Sequence, residues 1–398
     1  MHRPGARRGR RGRGRPGARP PVRPRAGRGP RRAGGRRAAG PRAPRPARSR
    51  VRARLLGDLS RGVRATVIDV HAHIVLESVL GAAGPHGPEL DDGDAATGHP
   101  PCFRVGGYTL VGVKYRGSPF MDPDLRLAAM DEAGIEIQVL SPNPLTFFSH
   151  VEAEWADAFC RRHNDEVAAL VARAPDRFRG FAQLPMQDPA LAVAELRRSV
   201  TDLGLLAPYL GTDLGRALDD PAFDDVWAAC VELDVPVFFH PAPDGIDRPR
   251  RDERLARFDG DLWIGFLYEE TLAVASLVLG GVLDRFPTLD VCISHGGGAT
   301  AWLAERMEHA ARTRPWGPPE LADAGAVAAR LRRIWWDAHV GGPTALAALL
   351  AAFGPDRVVA GTNLGGWDQS RDPTYGDAAL DRTLAGNARR LLRLDRVR

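Results

Sequence analysis

Four of the eleven histidines in this 398-residue sequence directly follow short apolar segments, and such residues could bind a metal ion. His71 and His73 stand two residues apart, so in an extended backbone both side chains point to the same side. His240 follows VFF and His295 follows VCIS. Neutral imidazoles that converge from separate strands suit a borderline divalent cation such as zinc. A lone histidine at a strand end is commonly a packing residue, and we interpret most of the others so; His339 is kept as a further candidate.

The elements that must position these histidines alternate between short apolar segments and longer amphipathic ones, which is typical of parallel β/α units. The amphipathic segments DPDLRLAAMDEAG and DPALAVAELRRSVTDLG begin with Asp-Pro, a helix-start signal. Eight such units predict an α/β fold, a (β/α)8 TIM-type barrel, in which residues after the strands share one rim. A doubly wound sheet is the alternative, but it does not explain eight units. The predicted strands are 67–70, 135–140, 178–184, 204–210, 235–239, 289–294, 334–337 and 358–360.

Charge is distributed unevenly along the chain. The sequence has 55 Lys+Arg and 49 Asp+Glu, but residues 1–65 contain 23 arginines and a single acid. The remainder therefore has 32 basic and 48 acidic side chains, a net charge of about −16 that argues against nucleic-acid binding. We find no apolar run of the roughly 20 residues that span a bilayer and no signal-peptide pattern. Four widely separated cysteines indicate reduced thiols, so we expect a cytoplasmic protein without a membrane partner.

The composition divides the chain into two regions. Residues 1–62, nearly all Arg, Gly, Pro and Ala, are expected to be a disordered basic extension. It could be translated from a start codon assigned too far upstream, be an inert tail, or bind nucleic acid. The last is disfavoured because the extension has no aromatic side chains to stack on bases. Residues 63–398 are expected to form the metal-dependent barrel domain.

Four motifs, taken in order, resemble the amidohydrolase superfamily: VIDVHAHI, FFHP, CISHGGG and VVAGTN. Longer stretches, such as RFRGFAQLPMQDPALAVAELRR, are similar to the branch of aminocarboxymuconate-semialdehyde decarboxylase and related aromatic-acid decarboxylases. The resemblance extends from about Val67 to the end of the chain. It implies that His71, His73 and His240 bind one divalent metal ion, Zn²⁺ with Mn²⁺ as the alternative. It also implies that His295 acts as acid and base beside the metal-bound water.

Two cationic side chains are implied to bind a small-molecule carboxylate substrate. Lys114, the only lysine, falls where the related decarboxylases have a substrate-binding arginine. Arg306 matches the arginine that reaches into the neighbouring subunit's site in that family, which implies a homodimer. Either residue could instead be an ordinary exposed side chain or form a surface ion pair.

The sequence departs from the family at the last strand, where Asn363 replaces the usual aspartate. An amide oxygen can bind a metal ion but cannot act as a base. Three interpretations stay open: Asn363 is a neutral ligand, Asp368 supplies the missing carboxylate, or the protein is an inactive relative. A second departure is Ala242, where the enzyme that names the branch has a tryptophan, so its muconate substrate is not transferred to this chain.

The favoured function is that of a metal-dependent carboxy-lyase acting on a small aromatic or enolisable carboxylic acid. A hydrolase of a C–C, ester or lactone bond is the alternative, and it would require Asp368 as the base. An inactive barrel, or a protein that binds nucleic acid through its extension, is the non-enzymatic alternative, because a fold by itself does not determine function.

Overall fold

Short segments rich in Val, Ile and Phe form the strands of this protein. The computed structural model describes residues 67–364, 368–370 and 373–396, so the predicted extension, residues 1–62, lies outside the described residues. Strand β1 and strands β5 to β11 overlap the eight predicted segments. The strands of the described residues are β1 (Val67–Ile74), β2 (Glu89–Asp91), β3 (Cys102–Val105), β4 (Tyr108–Val111), β5 (Ile135–Pro142), β6 (Phe178–Gly180), β7 (Tyr209–Gly211), β8 (Val237–His240), β9 (Val291–Ile293), β10 (Trp335–Asp337) and β11 (Val358–Val359).

Helices connect consecutive parallel strands, and two of them begin at the predicted Asp-Pro signals. The side chains of Asp122 and Asp188 each accept hydrogen bonds from two backbone N–H groups of the following turn, which satisfies donors that a helix start leaves free. The α-helices of the described residues are α1 (Pro123–Ala133), α2 (Ala153–Arg173), α3 (Pro189–Thr201), α4 (Asp224–Glu232), α5 (Phe266–Leu279), α6 (Val282–Arg285), α7 (Thr300–Thr313), α8 (Ala326–Leu331), α9 (Pro343–Phe353) and α10 (Ala378–Leu391).

Strand β1 and strands β5 to β11 pair in parallel, which confirms the predicted α/β class. They form two ladders, one ordered β1-β5-β6 and the other β11-β10-β9-β8-β7. The ladders approach each other at both ends. A parallel bridge joins Ala182 to Pro208 between β6 and β7. At the other end, the Val70 N–H donates to the carbonyl of Ala360 at 3.0 Å, between β1 and the end of β11.

One apolar cluster contains buried side chains from all eight parallel strands or from the residue that follows a strand. Such a cluster requires alternate residues of each strand to face the same interior. The carboxyl ends of the parallel strands, where the candidate histidines lie, are therefore held around one packed apolar cluster. Its members include Ile68, Val70, Ile137, Val139, Phe181, Tyr209, Phe238, Cys292, Trp335 and Val359.

A small antiparallel sheet, ordered β2-β3-β4, lies in the chain between β1 and α1 and was not predicted. Its strands are three or four residues long, too short to show a clear alternation in the sequence. Gly106 and Gly107 connect β3 to β4, and the Gly107 N–H donates to the carbonyl of Ile246 at 2.7 Å. A Cβ at Gly106 would lie 2.4 Å from that same oxygen, so the turn requires glycine there.

Among the described residues, one helical stretch is apolar enough, by length and composition alone, to cross a membrane. Residues Asp261–Leu279 span 19 residues with a mean hydropathy of 1.5, beside the prediction that no apolar run reaches the roughly 20 residues that span a bilayer. A third of this stretch is buried inside the protein. Glu270, within it, is fully buried and hydrogen-bonded to residues at the end of β9, so this helix packs against the strands.

Candidate metal centre

Three of the predicted ligands converge at the ends of two strands. His71 and His73 lie on β1, His240 is the last residue of β8, and all three are buried. One ring nitrogen from each lies within 4.8 Å of the other two, which is the spacing of a site that could hold a metal ion. The two-residue spacing on β1 places both of its histidines on this side, as predicted.

The hydrogen bonds at the far side of each ring determine which nitrogen is free. The Nδ1 atoms of His71, His73 and His240 lie 2.5 Å from Asp337 Oδ2, 2.9 Å from the Pro142 carbonyl and 2.7 Å from the Pro241 carbonyl, respectively. A carbonyl or carboxylate oxygen accepts hydrogen bonds, so each Nδ1 carries the proton and each Nε2 of a neutral ring presents a lone pair.

Two of these lone pairs face each other. His71 Nε2 and His73 Nε2 are 3.2 Å apart, and neither can donate to the other when both Nδ1 atoms carry the protons. Burial lowers the pKa of His73 to about 3 and lowers the pKa values of His71 and His240 well below the usual range. The three imidazoles are therefore neutral, as metal binding requires. A divalent cation fits this arrangement because it would bind the converging lone pairs.

His295 lies beside these three imidazoles but is held differently. Its ring centroid is 5.0 Å from that of His71 and 4.9 Å from that of His240. Its Nδ1 is 2.7 Å from Oε1 of buried Glu270 on α5. Burial by itself lowers the pKa of His295, but attraction to the negative charge of Glu270 and the hydrogen bond that the imidazole donates to it outweigh this effect and raise that pKa to about 9. His295 is therefore the imidazole of this centre that can hold an extra proton.

The three glycines after His295 have positive φ angles of 64°, 71° and 65° and approach neighbouring backbone and side chains closely. A Cβ at Gly298 would lie 2.1 Å from the carbonyl oxygen of Leu267 on α5. His295 itself has a φ of 44°, an uncommon value for a residue other than glycine. The glycines thus allow both a tight turn after His295 and a close approach of this turn to the backbone of α5.

Asn363 and Asp368 lie next to each other at the end of β11. The Asn363 side-chain Nδ2 donates to Asp368 Oδ1 at 2.6 Å, and Asp368 Oδ2 lies 3.1 Å from His339 Nε2. Burial opposes ionisation of Asp368, but the hydrogen bonds from His339 and Asn363 and nearby positive charge outweigh it and lower its pKa. One ring or carboxylate atom from each of His295, His339 and Asp368 also lies within 4.8 Å of the others.

His295, Asn363 and Asp368 line an apolar cavity of about 220 Å³. Tyr108 and Leu110, from the small antiparallel sheet, form part of its wall. Among the described lining residues there is no lysine or arginine. The residues lining the cavity are His73, Tyr108, Leu110, Val113, Tyr115, Phe120, Asn143, Pro144, Leu145, His240, Pro243, Leu262, Phe266, His295, Asn363 and Asp368.

Neither of the two predicted cationic residues is among the residues of its own chain that line this cavity. Lys114 is exposed, although its neighbours Val113 and Tyr115 line the cavity. Arg306 is exposed on α7. The structure therefore brings the histidines, Asn363 and Asp368 together. Neither Lys114 nor Arg306 of the same chain lines the cavity with them.

Several residues of the site were not identified from the sequence, and all of them support other side chains. Asp337 accepts from His71 through Oδ2 and from the His339 backbone N–H, at 2.9 Å, through Oδ1. Asp69, fully buried on β1, accepts from the Thr362 hydroxyl at 2.6 Å and so ties β1 to the end of β11. The available signal was a carboxylate inside an otherwise apolar strand, because a buried charge requires hydrogen-bonding partners.

The parallel strands and the histidine centre at their ends define a class of metal-dependent hydrolases and lyases, and the comparisons with known proteins agree. The family model described as "Amidohydrolase" matches residues 68–394. This chain belongs to the amidohydrolase family, as predicted, and it is similar to aminocarboxymuconate-semialdehyde decarboxylase and to aromatic-acid decarboxylases.

Individual relatives support this grouping. The chain is 32% identical over 245 residues to 2-amino-3-carboxymuconate-6-semialdehyde decarboxylase of Dictyostelium discoideum, which covers 61% of this chain and 66% of the relative. It is 34% identical over 201 residues to gamma-resorcylate decarboxylase of Rhodococcus jostii, covering 47% and 59%. The chain thus spans just under two thirds of the length of these curated relatives.

A solved structure resembles almost the whole described fold. The dihydroxybenzoic acid decarboxylase of Polaromonas sp. JS666, determined with bound manganese and 2-nitroresorcinol, has a TM-score of 0.64 and 25% identity. The similarity covers 83% of this chain and 98% of that one.

Proposed function

We propose that this protein is a metal-dependent decarboxylase of a small aromatic carboxylic acid. The observation that carries the proposal is the set of three buried imidazoles whose Nε2 lone pairs converge beside an apolar cavity, which two of them, His73 and His240, line. The named activities of the relatives, decarboxylation of aminocarboxymuconate semialdehyde and of resorcylate, support the same reaction class.

His71, His73 and His240 would hold one divalent cation, with the amide oxygen of Asn363 as a neutral fourth ligand. Asn363 Oδ1 is buried and has no hydrogen-bond partner among the described residues, which fits a ligand role. Three imidazoles favour zinc, and manganese, present in the Polaromonas relative, is the alternative. When bound, the cation supplies positive charge that orients the substrate's oxygen atoms and stabilises negative charge in the transition state.

His295 would donate the proton. In decarboxylation, a proton adds to the carbon that carries the carboxylate, that carbon keeps the electron pair of the broken C–C bond, and CO₂ leaves. Because Glu270 binds Nδ1, the Nε2–H of protonated His295 is the group that lies on the cavity side. The phenol rings of Tyr108 and Tyr115 and the ring of Phe266 would contact the aromatic substrate and exclude water.

The hydrolase alternative needs a free base beside a bound water molecule. Both carboxylate oxygens of Asp368 are engaged, one by Asn363 and one by His339. This arrangement supports decarboxylation over hydrolysis, because proton delivery from His295 does not require Asp368 as a base.

The eight parallel strands would close into a TIM-type barrel. The Ala182–Pro208 bridge and the hydrogen bond from Val70 to Ala360 support closure between the two ladders. The apolar cluster shared by all eight strands supports it as well. In such a barrel the active site lies at the carboxyl ends of the strands, where the four histidines lie.

The working unit would be a cytoplasmic homodimer in which Arg306 reaches the partner's substrate, while Lys114 binds at the cavity rim. An exposed apolar surface supports association, because monomers rarely expose large contiguous apolar areas. Trp302, 88% exposed, lies one helical turn from Arg306. Trp316, which follows α7, is also exposed. Further exposed apolar side chains lie on α5 and just before it: Trp263, Ile264, Leu267, Tyr268 and Leu272.

The proposed function is tested with the full-length protein loaded with Zn²⁺ or Mn²⁺. We expect CO₂ release from 2,6-dihydroxybenzoate or a related hydroxybenzoate, and incorporation of deuterium at the vacated carbon in D₂O. His295→Asn should reduce turnover by at least about 10²-fold, whereas His309→Asn, at an exposed position of α7, should not. Metal binding without CO₂ release from any aromatic acid, or ester and lactone hydrolysis instead, would refute the proposal.

A further inference from the structure

The carboxamide of Asn363 has two chemically different ends, and only one of them can bind a cation. Its Oδ1 has lone pairs, whereas its Nδ2 is a hydrogen-bond donor. An aspartate at the same position would present an oxygen in either orientation. Replacing the family's aspartate with asparagine therefore creates a requirement that the rest of the site must meet: the amide has to be held with its oxygen toward the cation.

Asp368 meets that requirement geometrically. Its Oδ1 accepts from Asn363 Nδ2 at 2.6 Å, and an ionised carboxylate has no proton with which to bond the opposite end of the amide. The alternative orientation would place Asn363 Oδ1 against a carboxylate oxygen, which is repulsive. The observed orientation leaves Oδ1 buried and without a hydrogen-bond partner among the described residues.

Asp368 is itself held in place. Its second oxygen lies 3.1 Å from His339 Nε2, and the His339 backbone N–H donates to Asp337, the carboxylate that also binds His71 Nδ1. The Asn363 backbone N–H donates to the His71 carbonyl at 2.8 Å, which keeps the residue next to the imidazole ligands. A continuous set of hydrogen bonds thus runs from His71 through Asp337, His339 and Asp368 to the amide.

We propose that Asp368 is a positioning residue, which orients the Asn363 carboxamide so that its Oδ1 binds the metal ion held by the three histidines. His339 supports it by holding the second oxygen of Asp368. The inference rests on the proposed function only for the presence of the cation site. It assigns Asp368 neither contact with the metal ion nor a role as a base, so the carboxylate acts through Asn363.

The test is a double-mutant cycle on metal affinity, measured without substrate on the full chain by titrating metal-depleted protein with Zn²⁺ against a competing chelator. Asp368→Ala should weaken Zn²⁺ binding by about 10- to 100-fold, the usual effect of removing a group that orients a metal ligand. In the Asn363→Asp background the same substitution should change affinity by less than about threefold, because either oxygen of a carboxylate can bind without being oriented. Asp323→Ala, which removes an exposed carboxylate outside the cavity, is the matched control.

Equal losses of affinity in both backgrounds would overturn the inference, because a general charge or folding effect does not depend on the identity of residue 363. Unchanged affinity in Asp368→Ala would overturn it too. Binding of two Zn²⁺ ions by the parent protein and one by Asp368→Ala would do the same, because Asp368 would then be a ligand of a second ion with His295 and His339. If Asp368→Ala does not fold, Asp368→Asn is used in the same cycle, because an amide can bond either end of Asn363 and does not select its orientation. Absence of decarboxylation would refute the proposed function and leave this result intact.

Discussion

The role of Glu270 provides the sharpest test of how the proposed proton donor is held. Glu270 Oε1 accepts from His295 Nδ1 at 2.7 Å and from the Ser294 hydroxyl at 2.5 Å, while Oε2 is buried without a partner among the described residues. Glu270→Gln keeps the shape of the side chain but removes its charge. The substitution also places a buried NH₂ group at the position of Oε2, where no described residue accepts a hydrogen bond from it.

The expected loss follows from this geometry. A hydrogen bond between charged groups contributes about 1.5–3 kcal/mol. Since each 1.36 kcal/mol changes a rate tenfold, Glu270→Gln should lower kcat/KM by about 10- to 150-fold. The unpaired amide should also lower the free energy of unfolding by about 1–3 kcal/mol. Removal of the charge should lower the pKa of His295 from about 9, so the protonated donor and the activity should be lost at lower pH in the variant than in the parent.

The assay is CO₂ release across pH 6 to 10, with unfolding followed by circular dichroism. Glu269→Gln is the matched control, because Glu269 is the preceding residue on α5 and bonds Arg251 rather than His295. If Glu270→Gln retains the activity and pH profile of the Glu269→Gln protein, Glu270 does not hold the proton donor, and the role of His295 must be revised.

Three further predictions concern the metal ion, the glycine turn and the dimer. The purified protein should contain about one divalent metal ion per chain, and the His73→Asn variant should contain none. Metal binding should raise the free energy of unfolding by about 2.7 kcal/mol at a free metal concentration 100 times Kd. Thermal unfolding with and without a chelator measures this gain. Gly298→Ala should destabilise the fold by more than about 2 kcal/mol, since its Cβ would lie 2.1 Å from the Leu267 oxygen; Gly386→Ala, with nothing within 4 Å, should not, and urea unfolding compares the two. Trp302→Glu should shift the protein from dimer to monomer in sedimentation velocity, and a monomeric parent protein would contradict the proposed interface.

The sequence was sufficient to predict the parallel strands and the convergence of the histidines, because both follow from local patterns. An apolar run ending in histidine predicts a strand end, and His71, His240 and His295 meet because parallel strands share one edge. The small antiparallel sheet was missed because its strands are only three or four residues long. The turn between β3 and β4 is also held by a distant loop, through the backbone hydrogen bond from Gly107 to Ile246, and no local sequence pattern predicts such a contact.

The supporting carboxylates could not be predicted for a different reason. Asp337 and Glu270 lie far from the histidines in sequence, and only the packing of β10 and α5 against the strand ends brings them to Nδ1 atoms. Asp368 and Asn363 lie five residues apart and outside the strands and helices, so no periodic pattern predicts their contact. For Lys114 and Arg306, alignment with a motif predicts a position along the chain, but not whether the side chain faces the cavity.

The floor and the wall of the cavity come from separate parts of the chain. The histidines proposed to bind the metal ion belong to the parallel strands, whereas Tyr108 and Leu110 belong to the antiparallel sheet, which forms a separate ladder within the part of the chain that the structure describes. Cavity-lining side chains such as Tyr108 and Leu110 can therefore change without altering the register of the strands that carry the imidazoles, provided that the glycine turn at Gly106 is kept. Under the proposed function, substrate choice and metal binding would therefore depend on separate sets of residues, and substitutions at the wall would change the first without changing the second.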